Sequence, residues 1–292
     1  MSKIGKNFKI FGIRQSLLGD SIMSLPILTY LEKRYPNSYK IFHIAKKCSQ
    51  AAPLYFNQPL IDRILISDCP EGFGPNDYEV MKTCDLVLNT MPPHPDDRFP
   101  NDFDIYEETF RMSGLPIEEF WAMTEEEKRP KLVKWFDTEN LGPKTLAFFA
   151  CAGYGANGWA SRNPTKQWYE KLLPMLYAEG FTIYQFGHPL DYTFAPHSQH
   201  VDCRSLPFFD QVKKSLGTSI ALATDSGTSL ILGAYGFAQV SLLTNHWNSP
   251  KHVRNFYAFG TNNPNNYSFF GMNHCDNISQ KEVLDKIIEK TK

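Results

Sequence analysis

Residues 218–244 read "TSIALATDSGTSLILGAYGFAQVSLLT", two β-rich apolar runs, "SIALAT" and "AQVSLLT", on either side of a small-residue segment, "GTSLILGAYG". The middle segment has helical length, and Asp225, Ser226 and Gly227 stand where a strand gives way to a helix N-terminus. Two strands joined by a helix return in parallel through a right-handed crossover. This block therefore calls for a parallel α/β sheet with D-S-G at its carboxyl edge, where ligands bind in open sheets of this kind.

The alternation extends outward in both directions. Upstream come a strand "TLAFFA", a helix from about 164 to 179, a strand "FTIYQFG" and a helix from about 207 to 216. Downstream, 246–275 read as one long polar and aromatic loop, and "SQKEVLDKIIEKT" as a closing helix with a capping box from Ser279 to Glu282. The first half repeats the architecture. "FKIFGIR" is a strand, Ser21 to Arg34 a helix with Ile22, Leu25, Leu28 and Leu31 near one face, and "YKIFHIA", "IDRILIS" and "CDLVLNT" are further strands. One short helix fits before the last of these. Two helical stretches follow near 104–113 and 116–128, and the boundary is placed at 136–143, dividing the chain into domains 1–140 and 141–292. The fold class expected is α/β, with two Rossmann-like domains whose parallel sheets face each other across a cleft. The last helix, 279–291, has the option of packing back on the first domain.

Composition bounds the function. Of 292 residues, 42% are hydrophobic and 21% charged, which suits a folded soluble protein. Thirty basic against 31 acidic side chains leave a net charge of -1, so no overall field recruits nucleic acid, and membrane contact is expected to be peripheral at most. The apolar run near the N-terminus is shorter than a signal-peptide core, and the chain reads as cytoplasmic. Six scattered cysteines contain no C-x-x-C pair and are expected to be reduced thiols. His197 and His200 form one H-x-x-H, placed in a loop without further ligands, so no metal site and no cofactor is expected.

"GYGANGWASRNPTKQW" (153–168) carries G-x-G-x-x-G at Gly153, Gly155 and Gly158. A dinucleotide fingerprint needs its third glycine in the first helical turn and an acid about 20 residues further on at a strand end. Here the helix is placed to start at Asn163 as N-cap with Pro164 first, and a count from Gly158 lands on Glu179, inside a helix. A nicotinamide oxidoreductase is thereby the weaker reading. What remains is a glycine loop at a strand's carboxyl end, either ligand-binding or an ordinary turn. "LLGDSIMSLP" sets Gly19 and Asp20 between the first strand and first helix, with Asp20 as N-cap.

Three stretches resemble glycosyltransferase family 9, the ADP-heptose:lipopolysaccharide heptosyltransferases and their relatives, of GT-B fold. They are "GDSIMSLPILTYLEKRYPNSYKIFHIA", "SRNPTKQWYEKLLPMLYAEGFTIYQFG" and "LPFFDQVKKSLGTSIALATDSGTSLILGAYGFAQVSLLT". The resemblance implies a metal-independent inverting transferase that moves a heptose-like sugar from a nucleotide-diphosphate donor to a hydroxyl, such as a lipopolysaccharide core or other glycan. The alternative is a non-catalytic nucleotide- or sugar-binding protein of the same fold. It implies Asp20 as general base and Asp225, Ser226, Gly227 and Thr228 as the diphosphate site, aided by Arg162 and the loop glycines Gly153 and Gly155. Asp191 falls near a family acid that holds the donor sugar, and is otherwise a solvent-exposed carboxylate. Gly19, Arg14 and Lys46, with Lys47, stand on the acceptor side, where solvated surface charge is the plainer role of the basic residues. Trp247 and Asn245 are open between base or ribose contact and packing. The chain departs from the family at Leu230, where a histidine is common, and at Asn163, where a tryptophan is.

Overall fold

The computed structural model describes residues 9–13, 18–70, 72–90, 105–153, 162–244, 266–271 and 273–292. The first sheet consists of β1 (Lys9–Ile13), β2 (Tyr39–Ile44), β3 (Arg63–Ile66) and β4 (Leu86–Asn89), in the order β3-β2-β1-β4 and parallel throughout. The second holds β5 (Thr145–Phe149), β6 (Thr182–Phe186), β7 (His200–Asp202), β8 (Ile220–Thr224), β9 (Gln239–Thr244) and β10 (Tyr267–Gly271), in the order β10-β9-β8-β5-β6-β7, also parallel. Strand β5 shows why its sequence is an unbroken apolar run. Leu146 and Phe148 enter one core, Ala147 and Phe149 the core on the opposite face, as a strand covered on both sides requires.

The helical stretch expected from Ser21 to Arg34 is two helices, α1 (Leu18–Met23) and α2 (Leu25–Arg34), meeting at Ser24. Pro26 is the cause, because it has no N–H to give and its ring crowds the carbonyl four residues back. Asp20 therefore lies inside the first turn of α1 and is not an N-cap. Helix α3 (Pro75–Met81) connects β3 to β4, and α4 (Ile105–Met112), α5 (Ile117–Trp121) and α6 (Glu125–Lys128) follow β4 before the second sheet begins, so the stretch expected at 116–128 is also divided. Its break is made by Thr124, whose hydroxyl and backbone exchange hydrogen bonds with Glu127 in a capping box.

The second half supplies α7 (Lys166–Ala178), α8 (Phe208–Ser215), α9 (Gly227–Ala234) and α10 (Gln280–Lys290). Helix α10 begins at the expected cap, Ser279, which accepts from the Glu282 N–H. Its Val283, Leu284 and Ile287 join Trp168, Leu172 and Val240 in the second-half core, so it packs there and not on the first half. The expected loop at 246–275 contains β10, which adds parallel to β9 with Phe269 opposite Leu242. The loop expected around His200 likewise contains an edge strand, β7.

One hydrophobic core joins the halves. Ile22, Leu31, Tyr55 and Phe110 from the first cluster with Val212, Leu230, Ile231 and Leu243 from the second. Residues 129–144, which include the expected boundary at 136–143, form an extended strap bonded to both sides. Gln58 exchanges two hydrogen bonds with the Val133 backbone (2.7 and 2.9 Å), and Trp135 Nε1 donates to the Pro53 carbonyl (3.2 Å). On the other side the Leu132 and Leu141 amides donate to the Ala234 and Gly217 carbonyls, both at 2.9 Å, while Phe136 meets Phe209 edge-on at 5.1 Å. None of the six cysteines forms a disulfide. No helix among the described residues is long and apolar enough to cross a membrane.

Candidate functional site

The site is built where α1 meets α9. Each helix starts at the carboxyl edge of its own sheet, and the packing of the halves brings the two starts into backbone contact. A Cβ added to Gly227 would lie 2.9 Å from the Gly19 amide nitrogen, and one added to Gly19 would lie 3.5 Å from the Gly227 Cα. Asp20, half-buried, follows Gly19 directly in the first turn of α1, the turn that meets the N-terminus of α9. There, Ser226 is the N-cap, its hydroxyl accepting from the Ser229 N–H, while the amides of Gly227 and Thr228 have no carbonyl partner within the helix. Gln239 secures α9 to β9 by donating from Nε2 to the Ser229 carbonyl at 3.0 Å.

Asp225, at the end of β8, is buried, and Arg162 approaches it with Nη1 at 3.8 Å from Oδ1. The Cys275 thiol donates to the Arg162 carbonyl (3.4 Å), which ties the arginine backbone to the second-half core. Arg162 thus stands next to the first residue of D-S-G. Leu230, in the position where the family commonly has histidine, is 1% exposed and sits in the shared core with Ile22. A Cβ on Gly19 would meet its Cδ1 at 3.0 Å. At this point of the chain the side chain fills the apolar seam between α1 and α9.

Asn163 does not cap α7. Thr165 does, accepting from the Trp168 N–H, and Asp276 holds Thr165 in turn through its amide and hydroxyl, both at 2.7 Å. Asn163 is buried and bridges back to Ala152, accepting from its N–H at 2.6 Å and donating to its carbonyl at 3.4 Å. It closes the base of the glycine loop. Gly153, at φ +84°, begins that loop in a backbone region that suits glycine. Helix α7 starts at Lys166, eight residues beyond Gly158, so the helix context of a dinucleotide fingerprint is missing.

Asp191 is 5% exposed, which removes the reading of a solvent-exposed carboxylate. Burial pushes its carboxyl up to about 6, against the opposing hydrogen bond from the His188 amide at 3.1 Å and the nearby charge of Arg204. Gly187, at φ +123°, leaves the space it fills, since a Cβ there would fall 2.2 Å from Asp191 Oδ2. Arg204 grips the Asp202 carboxylate through Nε and Nη2 (2.9 and 2.6 Å) and donates to the Asp191 carbonyl at 2.8 Å. Its place in this network is invisible in the sequence, where only its spacing from Asp202 is a signal. Beside it, burial pushes the Cys151 thiol up to about 12, leaving it protonated at neutral pH and a poor nucleophile.

Lys46 is exposed and opens the 3-10 helix Lys46–Tyr55 that follows β2, its amide bonded to the Cys69 carbonyl (3.1 Å), and Lys47 follows it. Arg14, Gly155, Asn245 and Trp247 lie outside the described residues. His200 engages Tyr177 through Nδ1 (2.7 Å) and Gln185 through Nε2 (3.0 Å), while the His197 ring stacks on Tyr177 at 3.8 Å. Both histidines therefore pack against the last turn of α7. Among the described residues no three His, Cys, Asp or Glu side chains converge as metal ligands would.

No family model matches the sequence, and no curated protein matches it. Solved structures do. The chain is similar to E. coli ADP-heptose LPS heptosyltransferase II, with 15% identity and a TM-score of 0.61 over 97% of this chain and 98% of that one. It is similar also to a glycosyl transferase family 9 protein from Veillonella parvula, with 13% identity and a TM-score of 0.62 over 99% and 98%. The fold is that of the family 9 heptosyltransferases. E. coli heptosyltransferase WaaC with ADP-2-deoxy-2-fluoro heptose shares it, at 12% identity and a TM-score of 0.57 over 97% and 99%. In this chain the contact of α1 with α9 is where the two halves meet at the carboxyl edges of their sheets. The reaction has to be argued from the side chains at that contact, because a fold hosts many chemistries.

Proposed function

We propose that this protein is a cytoplasmic, metal-independent, inverting glycosyltransferase that moves a sugar from a nucleotide-diphosphate donor to a hydroxyl acceptor, with Asp20 as general base. The observation that supports this reading is the backbone contact of α1 with α9, which brings the helix turn that carries Asp20 close to the start of α9, where Gly227 and Thr228 stand. The acceptor oxygen forms its bond to the anomeric carbon as the bond from that carbon to the diphosphate oxygen breaks on the opposite face. Asp20 takes the hydroxyl proton, an effect typically of 10² to 10⁴-fold. Negative charge growing on the departing diphosphate meets the α9 amides and dipole, about 0.3 to 2 kcal/mol from the dipole alone, with Arg162 close by. Asp191 and Gly153, at the same sheet edge, belong to the donor side, and Lys46 to the acceptor side. A heptose donor and a lipopolysaccharide or other glycan acceptor are the class suggested by the similar solved proteins.

A thermal-shift panel of ADP-, GDP- and UDP-sugars, followed by mass spectrometry of product and of donor hydrolysis, tests the reading. Stabilisation by at least one of them is expected, together with transfer that falls 100-fold or more in Asp20→Asn. Equal turnover by the variant removes Asp20 from the mechanism. Leu230, apolar and buried where the family has a hydrogen-bonding side chain, favours the second reading, a non-catalytic nucleotide-sugar binder. Binding without turnover in this panel would select it. Stabilisation by NAD alone would turn the assignment toward an oxidoreductase.

A further inference from the structure

We infer that Gly19 and Gly227 are a pair of positioning residues that set the distance between the acceptor-side carboxylate and the donor-side amides, an inference that rests on reading this site as a transferase centre. Neither glycine has a positive φ, so backbone conformation does not require glycine at either position. Clearance does. A Cβ on Gly227 would stand 2.9 Å from the Gly19 nitrogen and 3.1 Å from the Leu18 Cβ. Those are atoms of α1 itself that no rotamer change can withdraw. It would point at the other helix, away from its own amides, so its direct effect falls on the seam between the halves.

The contact is asymmetric. A Cβ on Gly19 would meet the end of a flexible side chain, Leu230 Cδ1 at 3.0 Å, and the Gly227 backbone at ordinary contact distances, 3.5 Å to Cα and 3.9 Å to N. Alanine at 19 is therefore absorbed by a small shift of Leu230, whereas alanine at 227 has to push α1 away. Asp20 is the next residue along α1, so any such displacement moves its carboxylate relative to the Gly227 and Thr228 amides. A misplacement of about 1 Å costs on the order of 10²-fold in a reaction that depends on alignment.

The test compares Gly227→Ala, Gly19→Ala and Gly19→Ala/Leu230→Val with wild type. It reads amide hydrogen exchange, ADP binding by calorimetry, and kcat and KM with the nucleotide sugar that wild type turns over. Gly227→Ala is expected to speed exchange in α1 and α9 while the sheet amides stay protected. Its kcat should fall at least about tenfold, with donor KM and ADP Kd within about threefold. Gly19→Ala should lose less, and Leu230→Val should restore it by making room. The inference is overturned if Gly227→Ala matches wild type in exchange and kcat. It is also overturned if ADP affinity and kcat fall together, since the glycine would then serve the diphosphate directly. If Gly227→Ala fails to fold, the Gly19 pair decides by the presence or absence of rescue. Should wild type turn over no donor, the transferase reading fails, and unchanged exchange in the variants separately removes the spacing role.

Discussion

Asp191→Asn is expected to stabilise the protein at neutral pH, and to do so by an amount that depends on pH in a set direction. The carboxyl titrates near 3.8 in the unfolded chain and about 6 in the fold, chiefly because burial penalises its charge. Between those values the folded state holds more protons than the unfolded state, so stability falls as pH rises through the window and levels off above it. With 1.36 kcal/mol for each tenfold change in proton affinity, the ionised carboxylate costs the fold roughly 3 kcal/mol at pH 7.5. Asparagine keeps an oxygen to accept from the His188 amide and carries no charge to desolvate. We expect the variant to exceed wild type by about 1–3 kcal/mol in urea unfolding at pH 7.5, with the difference shrinking towards pH 4. The comparison of two chains cancels the other carboxylates. A variant no more stable than wild type at pH 7.5, or a difference that does not change with pH, refutes the reasoning and means that Arg204 already compensates the charge.

Gln58→Ala removes both bonds to Val133 and the bond to the Leu54 carbonyl, and should cost about 1–3 kcal/mol in urea unfolding. A single transition for wild type that splits in two for this variant would show that the strap couples the halves, and an unchanged midpoint would show that it does not. Asn163→Ala leaves the buried Ala152 amide and carbonyl without the side chain that bridges them, and should cost roughly 1–3 kcal/mol. Proteolysis within 153–162 should accelerate in the same variant; unchanged cleavage would mean that other contacts close the loop. Asp20→Asn, by contrast, should leave the unfolding midpoint within about 0.5 kcal/mol of wild type, because Asp20 is half-buried at a helix start and not in the core. A large loss would show that its carboxylate is structural.

The strands β5, β8 and β9 and the helix α9 were legible because their signals are local. Unbroken apolar runs marked strands covered on both faces, and D-S-G between two such runs marked a helix start. The long loop that hid β10 was not legible: "YSFFG" is five residues long, and what makes it a strand is the open edge of β9 beside it. Asn before Pro is a common helix start and points to Asn163 as the cap, yet Thr165 two residues on offers the same chemistry. The choice fell to Asp276, 111 residues away, which bonds Thr165, and to the Ala152 backbone, which occupies Asn163.

By itself the amino-acid order determined the alternation of strands and helices, the two parallel sheets, and the polar loops carried at their carboxyl edges. Periodicity and capping are settled within a few residues of chain, so they survive in a linear reading. Tertiary packing alone decided that Gly19 touches Gly227, that Leu230 fills the seam between them, and that Asp191 is drawn out of water behind Gly187. Each of those depends on surfaces far apart in the chain excluding solvent together, and burial of that kind has no local signature.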